Sequence, residues 1–148
     1  MNIAPYTINL TGFDAGRLLS YWQWLIGDDK EIIALTKMGD LVLKDTTDKL
    51  YFLSVAEGSI DHISNYANDF FKNKLPAKQY FEMFQPEFIM DLQEDEKLLA
   101  EGQIYAYIKL PLHGGKSTVA NIHRINIYEY YAVISALHKQ IDELPKNE

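Results

Sequence analysis

The sequence predicts an α+β fold, a mostly antiparallel sheet of about five strands with helices packed on it, and three observations lead there. Three β-rich runs follow one another between Glu31 and Val55 with polar turns between them, the pattern of a central meander. Helical periodicity flanks this block instead of alternating with strands, which argues against a regular βαβ succession. The chain has 148 residues, 47% hydrophobic and 13% aromatic, enough apolar surface to offset ordering entropy in one domain spanning 1–148. No fixed-period repeat, low-complexity stretch or Pro/Gly/Ser-rich linker divides it.

The first element is a helix in FDAGRLLSYWQWLIG, where Asp14 can cap a stripe of Leu18, Leu19, Trp22 and Leu25, and Gly27 offers a stop. EIIALTKM and LVLKD then read as a hairpin joined at Gly39 and Asp40, and LYFLSV adds a third strand that ends at EGS. Ser64 or Asn65 can cap a second helix with Tyr66, Phe70 and Leu75 near one face, stopped by Pro76. Between Ala77 and Glu96 the spacing of Tyr80, Phe81, Phe84, Phe88, Ile89 and Leu92 predicts one or two short helices broken at Pro86.

In GQIYAYIKLP, Ile104, Ala106 and Ile108 alternate with Tyr105, Tyr107 and Lys109, the period of a strand closed by Pro111. HGGKS is the following loop, and VANIHRI is a further strand. Asn126 with Glu129 three places on makes a capping box for the last helix, whose apolar stripe is Ile127, Tyr131, Ile134, Leu137 and Ile141.

Composition narrows the chemistry. There is no cysteine, which removes disulfides, thiolate metal sites and thiol nucleophiles together. A net charge of −7 disfavours phosphate backbones and anionic lipid and favours a cationic partner. The expectation is therefore a protein that binds neither nucleic acid nor membrane. With no apolar run near bilayer length and no leader pattern at the N-terminus, the expected location is the cytoplasm.

The motifs that could carry catalysis are incomplete. Gly115, Lys116 and Ser117 spell the end of a phosphate-binding loop, but Leu110 stands where its first glycine belongs, and strands flank the segment on both sides. A glycine-rich hairpin turn explains it better. His62, His113, His123 and His138 include no pair at i, i+4, so their spacing supports no metal site. His138 with Asp142 fits a helix ion pair. No Gly-x-Ser-x-Gly occurs, and the many carboxylates between Glu87 and Glu101 read as a solvated face before they read as an acid–base pair. The expected protein is not an enzyme and needs no metal or cofactor. An alternative is a small ligand-binding module or enzyme with a cleft near His113, Lys116 and His123, recognisable by a pocket with convergent polar groups.

The stretch LLAEGQIYAYIKLPLHGGKSTVANIHRINIYEYYAVISALHKQIDELP, with Gly102, Gln103, Tyr105, Pro111, Gly114, Gly115, Asn121, Leu144 and Pro145 as its punctuation, resembles the C-terminal domain of immunity proteins from type VI secretion systems. Gly39 and Asp40 before a strand extend the similarity upstream, to about Trp22. Many members carry an additional N-terminal domain, for which this chain has room only for a short helical lead. The resemblance implies a protein that neutralises a secreted DNase toxin by direct contact, with a cognate toxin of basic surface as partner. Carboxylates steer a basic partner and tyrosines give rigid amphipathic contacts. The expected contact set is Asp91, Glu94, Asp95, Glu96 and Glu101 with Tyr105 and Tyr107.

Overall fold

The structure, a computed structural model, describes residues 2–145. Helix α1 (Ala15–Ile26) begins where the Asp14 carboxylate accepts the Arg17 N–H at 3.0 Å, satisfying one of the free donors of its first turn. Strands β1 (Thr7–Ile8), β2 (Glu31–Thr36), β3 (Leu41–Lys44), β4 (Leu50–Ser54) and β5 (Ser59–Ser64) form one antiparallel sheet in the order of the sequence. The sheet thus has five strands, as expected, although two of its members differ. The short β1 and the polar β5 complete it at its edges, while β6 (Gln103–Tyr107) and β7 (Ile122–Asn126) pair with each other in a separate two-stranded ladder.

Both faces of the five-stranded sheet are covered, which explains why LVL and LYFL read as unbroken apolar runs. Leu41, Leu43 and Leu53 point to one side, against Leu18 and Trp22 of α1 and Ile127, Tyr131 and Ile134 of α5 (Ile127–Asp142). Val42 and Leu50 point to the other side, against Phe70, Leu75 and Phe84. Successive strand residues alternate between faces, so each face receives every second side chain.

The helical segment on that second side departs from the expected cap and stripe. Ser64 is the last residue of β5, Tyr66 is 65% exposed, and α2 (Ala67–Asp69) is capped from a distance by the Asp48 carboxylate, which accepts the Ala67 N–H at 3.2 Å. The helix widens into a π-turn over Phe70–Lys74, with the Leu75 N–H on the Phe70 carbonyl at 2.8 Å. The wider i→i+5 turn brings Phe70 and Leu75 closer to one side than an α-helix would, where five residues splay them apart. After α3 (Lys78–Phe81) the chain breaks before Pro86, as expected, and α4 (Pro86–Glu94) follows.

The Asn126 side chain caps α5 by accepting the Tyr128 and Glu129 N–H groups at 2.9 and 3.2 Å. The buried stripe of α5 drifts from the expected one: Ile141 is exposed, and His138 is buried, its Nε2 3.1 Å from the Ala56 carbonyl and its ring beside Trp22. His138 is therefore a core residue and makes no ion pair with Asp142. Ile108 also leaves the expected strand and lies exposed beyond the end of β6.

The turn between β2 and β3 joins these parts. Its Lys37 carbonyl accepts the Tyr105 N–H of β6 at 2.8 Å, and its Lys37 N–H reaches the Tyr6 carbonyl at 3.0 Å. From α5 the Tyr131 hydroxyl donates to the Gly39 carbonyl at 2.6 Å. The Asp40 carboxylate accepts the Val55 N–H at 2.9 Å. Gly39 has φ 84°, and a Cβ there would lie 2.5 Å from Ile104 Cδ1. Only glycine combines that backbone with that approach.

Two substitutions test this junction by urea unfolding. Tyr131→Phe leaves a buried carbonyl unsatisfied and is expected to cost about 1–3 kcal/mol. Gly39→Ala, strained and overpacked at once, is expected to cost about 2–4 kcal/mol. Changes within a few tenths of wild type for both would refute the role given to the turn.

A candidate partner-binding face around helix α4

Helix α4 is held between two non-glycine residues in the left-handed region, Gln85 at φ 52° and Glu96 at φ 58°. Such residues cost of order 1 kcal/mol each and persist where their surroundings dictate them. One face of the helix buries Ile89 and Leu92 against Met38, Tyr105 and Ile122. Glu87, Asp91 and Glu94 lie on the exposed side at i, i+4 and i+7, neighbours on the helix surface. Their mutual repulsion is unrelieved by any basic residue in the last turn, and Asp91 and Glu94 sit toward the end of the helix that disfavours negative charge. The stripe is locally unfavourable, and a cationic partner would relieve it.

Beside this stripe runs a groove of about 770 Å³ between α3 and α4. Phe81, Phe88 and Met90 supply apolar walls, and Glu82, Glu87 and Asp91 supply carboxylates. Met90 is 49% exposed, unusual for so apolar a side chain in the middle of a helix. Lys78, 3.7 Å from Glu82, is the one cation among the lining residues.

A smaller cavity of about 300 Å³ adjoins the groove, since Gln85 and Ser117 line both. Asp40 lines it at 5% exposure and Tyr130 at 7%. Burial pushes the Asp40 carboxyl up to about 7, the Val55 N–H acts in the opposite direction, and the nearby charge of Glu57 adds to the rise. Burial also raises the Tyr130 phenol, with Asp40 and Tyr107 adding to it. The Tyr107 hydroxyl lies 3.2 Å from Ser117 Oγ at the same cavity.

The residues expected from the sequence are thus divided. Asp91 is on the groove, and Glu94, Asp95 and Glu96 continue the exposed acidic surface past it, with Asp95 3.9 Å from Lys97. Glu101 belongs elsewhere, lining a third hollow with Lys37 and Tyr128. Tyr107 lines the small cavity. Tyr105 is 1% exposed, its ring in the α4 core and its hydroxyl donating to the Lys97 carbonyl, so it supports the face from behind and reaches only the walls of the small cavity and the third hollow.

Glu82, Gln85, Asp40 and Tyr130 belong to the site although sequence reasoning did not choose them. Asp40 has the signature of a turn residue, and nothing in the sequence marks its burial. Tyr130 adjoins Tyr131, and two neighbouring buried residues on one helix do not follow a single stripe.

The alternative cleft is not assembled. His113, Lys116 and His123 are exposed, and none lines the hollows described above. Among the described residues no three His, Asp or Glu gather as metal ligands, and no helix is long and apolar enough to cross a membrane. The Gly-Gly-Lys-Ser segment closes the loop between β6 and β7, as expected. A Cβ on Gly115 would overlap the Lys109 carbonyl, and Asn121 clamps the loop through Lys109 and Lys116 at 2.9 Å.

The site is thus an acid-rimmed groove with an adjoining cavity on a small α+β fold. A family model described as "T6SS immunity protein Tdi1, C-terminal" matches residues 65–138, and the chain belongs to that family of type VI secretion immunity proteins. The matched segment contains α3, α4, the β6–β7 ladder and most of α5. A comparison with curated protein sequences finds no match. Among solved structures, the crystal structure of Atu4351 from Agrobacterium tumefaciens is similar at 14% identity and a TM-score of 0.56, over 83% of this chain and 64% of that one. At that identity the likeness is one of fold. This chain spans 64% of the length of its structural relative.

The Asp40 carboxyl makes stability depend on pH. The unfolded chain releases its proton near the usual 3.8, whereas the folded chain keeps it to about 7. The folded state therefore binds more protons in that interval, and stability from this group falls as pH rises through it. Relative to Asp40→Asn, the wild type is expected to lose on the order of 4 kcal/mol between pH 4 and pH 8. Unfolding curves that stay parallel across that range would mean the carboxyl titrates normally.

Proposed function

We propose that this chain neutralises a type VI secretion toxin by direct protein contact, and that the groove between α3 and α4 takes a basic, partly apolar segment of that toxin. Membership of the immunity family carries the role. The choice of surface rests on the groove, where Phe81, Phe88 and Met90 lie beside the carboxylates of Glu82, Glu87 and Asp91. The resemblance read in the sequence implies a DNA-cutting toxin, and a protein that grips DNA carries basic residues to neutralise phosphate. A carboxylate stripe complements such a surface, speeds encounter and disfavours partners of like charge.

Neutralisation of this kind needs no cofactor and no chemical step, only occupancy of a surface the toxin must use. A stable interface buries about 1,600 Å² in total, so the groove and the adjoining acidic surface would form its centre and not its whole extent. The toxin would be met in the cytoplasm, where it would reach its substrate.

Charge reversal tests the surface. Glu87→Lys, Asp91→Lys and Glu94→Lys together are expected to weaken binding to the effector encoded beside this gene by about 10- to 100-fold at low salt. The loss should fall mainly on the association rate and shrink as salt rises. Reversal of Asp142 and Glu143, exposed at the far end of α5, is the control. Equal losses in both variants, or none in the first, would remove this face from the interface, while an effector that wild type does not bind at all would remove the role.

A further inference from the structure

The cavity beside the groove contains an acid with no counter-charge. No basic side chain lines it, and among the described residues Asp40 has no ion-pair partner. The Val55 N–H occupies Asp40 Oδ1, and among the described residues nothing donates to Oδ2, which is left open to the cavity. The Tyr130 hydroxyl, in a residue 7% exposed, likewise has no hydrogen-bond partner among the described residues. Tyr130 lines the same cavity as Asp40 and Tyr107. A volume of about 300 Å³ holds roughly ten waters, room for the end of a long side chain. Neither oxygen is sealed inside the protein, so both are accessible to a group that enters the cavity.

We propose that this cavity receives one guanidinium or ammonium group, a donor-only cation that satisfies Asp40 Oδ2 and the Tyr130 oxygen together. A lysine or arginine of the toxin supplies it, since Gln85 and Ser117 make the cavity a side chamber of the groove. The chemistry of the cavity stands by itself, and only the source of the cation rests on the proposed toxin contact.

The probe is L-argininamide, titrated into the whole chain and followed by the amide resonance of Val55, whose N–H holds Asp40. Saturable shifts with a dissociation constant on the order of 1–10 mM are expected for so small a ligand. Asp40→Asn should abolish them. Tyr130→Phe removes a hydroxyl that bonds nothing in the free protein, so its unfolding midpoint should stay at or above that of wild type while argininamide affinity drops about tenfold. No saturable shift in wild type, or equal shifts in both variants, would overturn the cation site.

In the second arm, the effector encoded beside this gene is added to saturation. Loss of the argininamide response, with effector affinity about tenfold weaker in Tyr130→Phe, assigns the cation to the partner. A response that persists in the complex assigns the cavity to a free amine and overturns the partner assignment, leaving the groove contact standing.

Discussion

The five-residue turn from Thr36 to Asp40 is the constraint on which the remaining architecture rests. A β-sheet, a separate two-stranded ladder and a C-terminal helix have no reason to adopt one relative arrangement through apolar burial alone, which is non-directional. Direction comes from hydrogen bonds, and the turn accepts them from Tyr105 of β6, Tyr131 of α5 and Val55 at the end of β4, and donates one to the Tyr6 carbonyl of the N-terminal segment. Thr36 and Asp40 close the turn on themselves, the Thr36 N–H on the Asp40 carbonyl and the Asp40 N–H on Thr36 Oγ1. A buried polar group in such a place is costly if left unmade, so each of these bonds selects against alternative packings.

The same turn sets the site. Its Asp40 side chain holds Val55 with one oxygen and also lines the small cavity, so one residue both braces the fold and shapes the cavity. Most of the molecule is locally consistent, with capped helices, alternating strands and a sheet covered on both faces. Two of the three left-handed non-glycine residues among those described, Gln85 and Glu96, flank α4, which also has a carboxylate stripe at odds with the helix dipole and an exposed methionine, while the third, Asp48, lies between β3 and β4.

Much of the fold was legible in the sequence, and the failures have physical causes. Asp14, Asn126 and the apolar periodicity marked α1 and α5, and the turn residues marked the meander from Glu31 to Ser54. The strand SIDHIS was missed because an edge strand that guards itself with Asp61 and His62 has little apolar signal. The ladder of β6 and β7 was recognised as two strands but not as a separate unit, since strand periodicity carries no information about partners. Tyr66 was misplaced because the helix starts at Ala67, after an extended Tyr66, and not at Asn65. Of the site, the exposed carboxylates on and after α4 could be read, because charge density is a property of sequence. The groove and the Asp40 cavity could not, because concavity arises only when distant segments meet.

The nearest-neighbour order of the five strands has a consequence for how the chain reaches this state. Every pairing in that sheet is closed by a local connection except the one that recruits β1, so the hairpins of β2, β3, β4 and β5 can form early and at low entropic cost. The bond from Tyr131 to Gly39 spans 92 residues and must wait for the C-terminal helix to arrive. We expect folding to proceed from meander to helix, with high φ-values at Leu41 and Leu53 and low ones at Ile134, an order that the reverse pattern would exclude. On a ribosome the sheet would be complete while α5 is still being made, and the small cavity, walled by the buried turn, β6 and Tyr130 of α5, would be among the last features to exist.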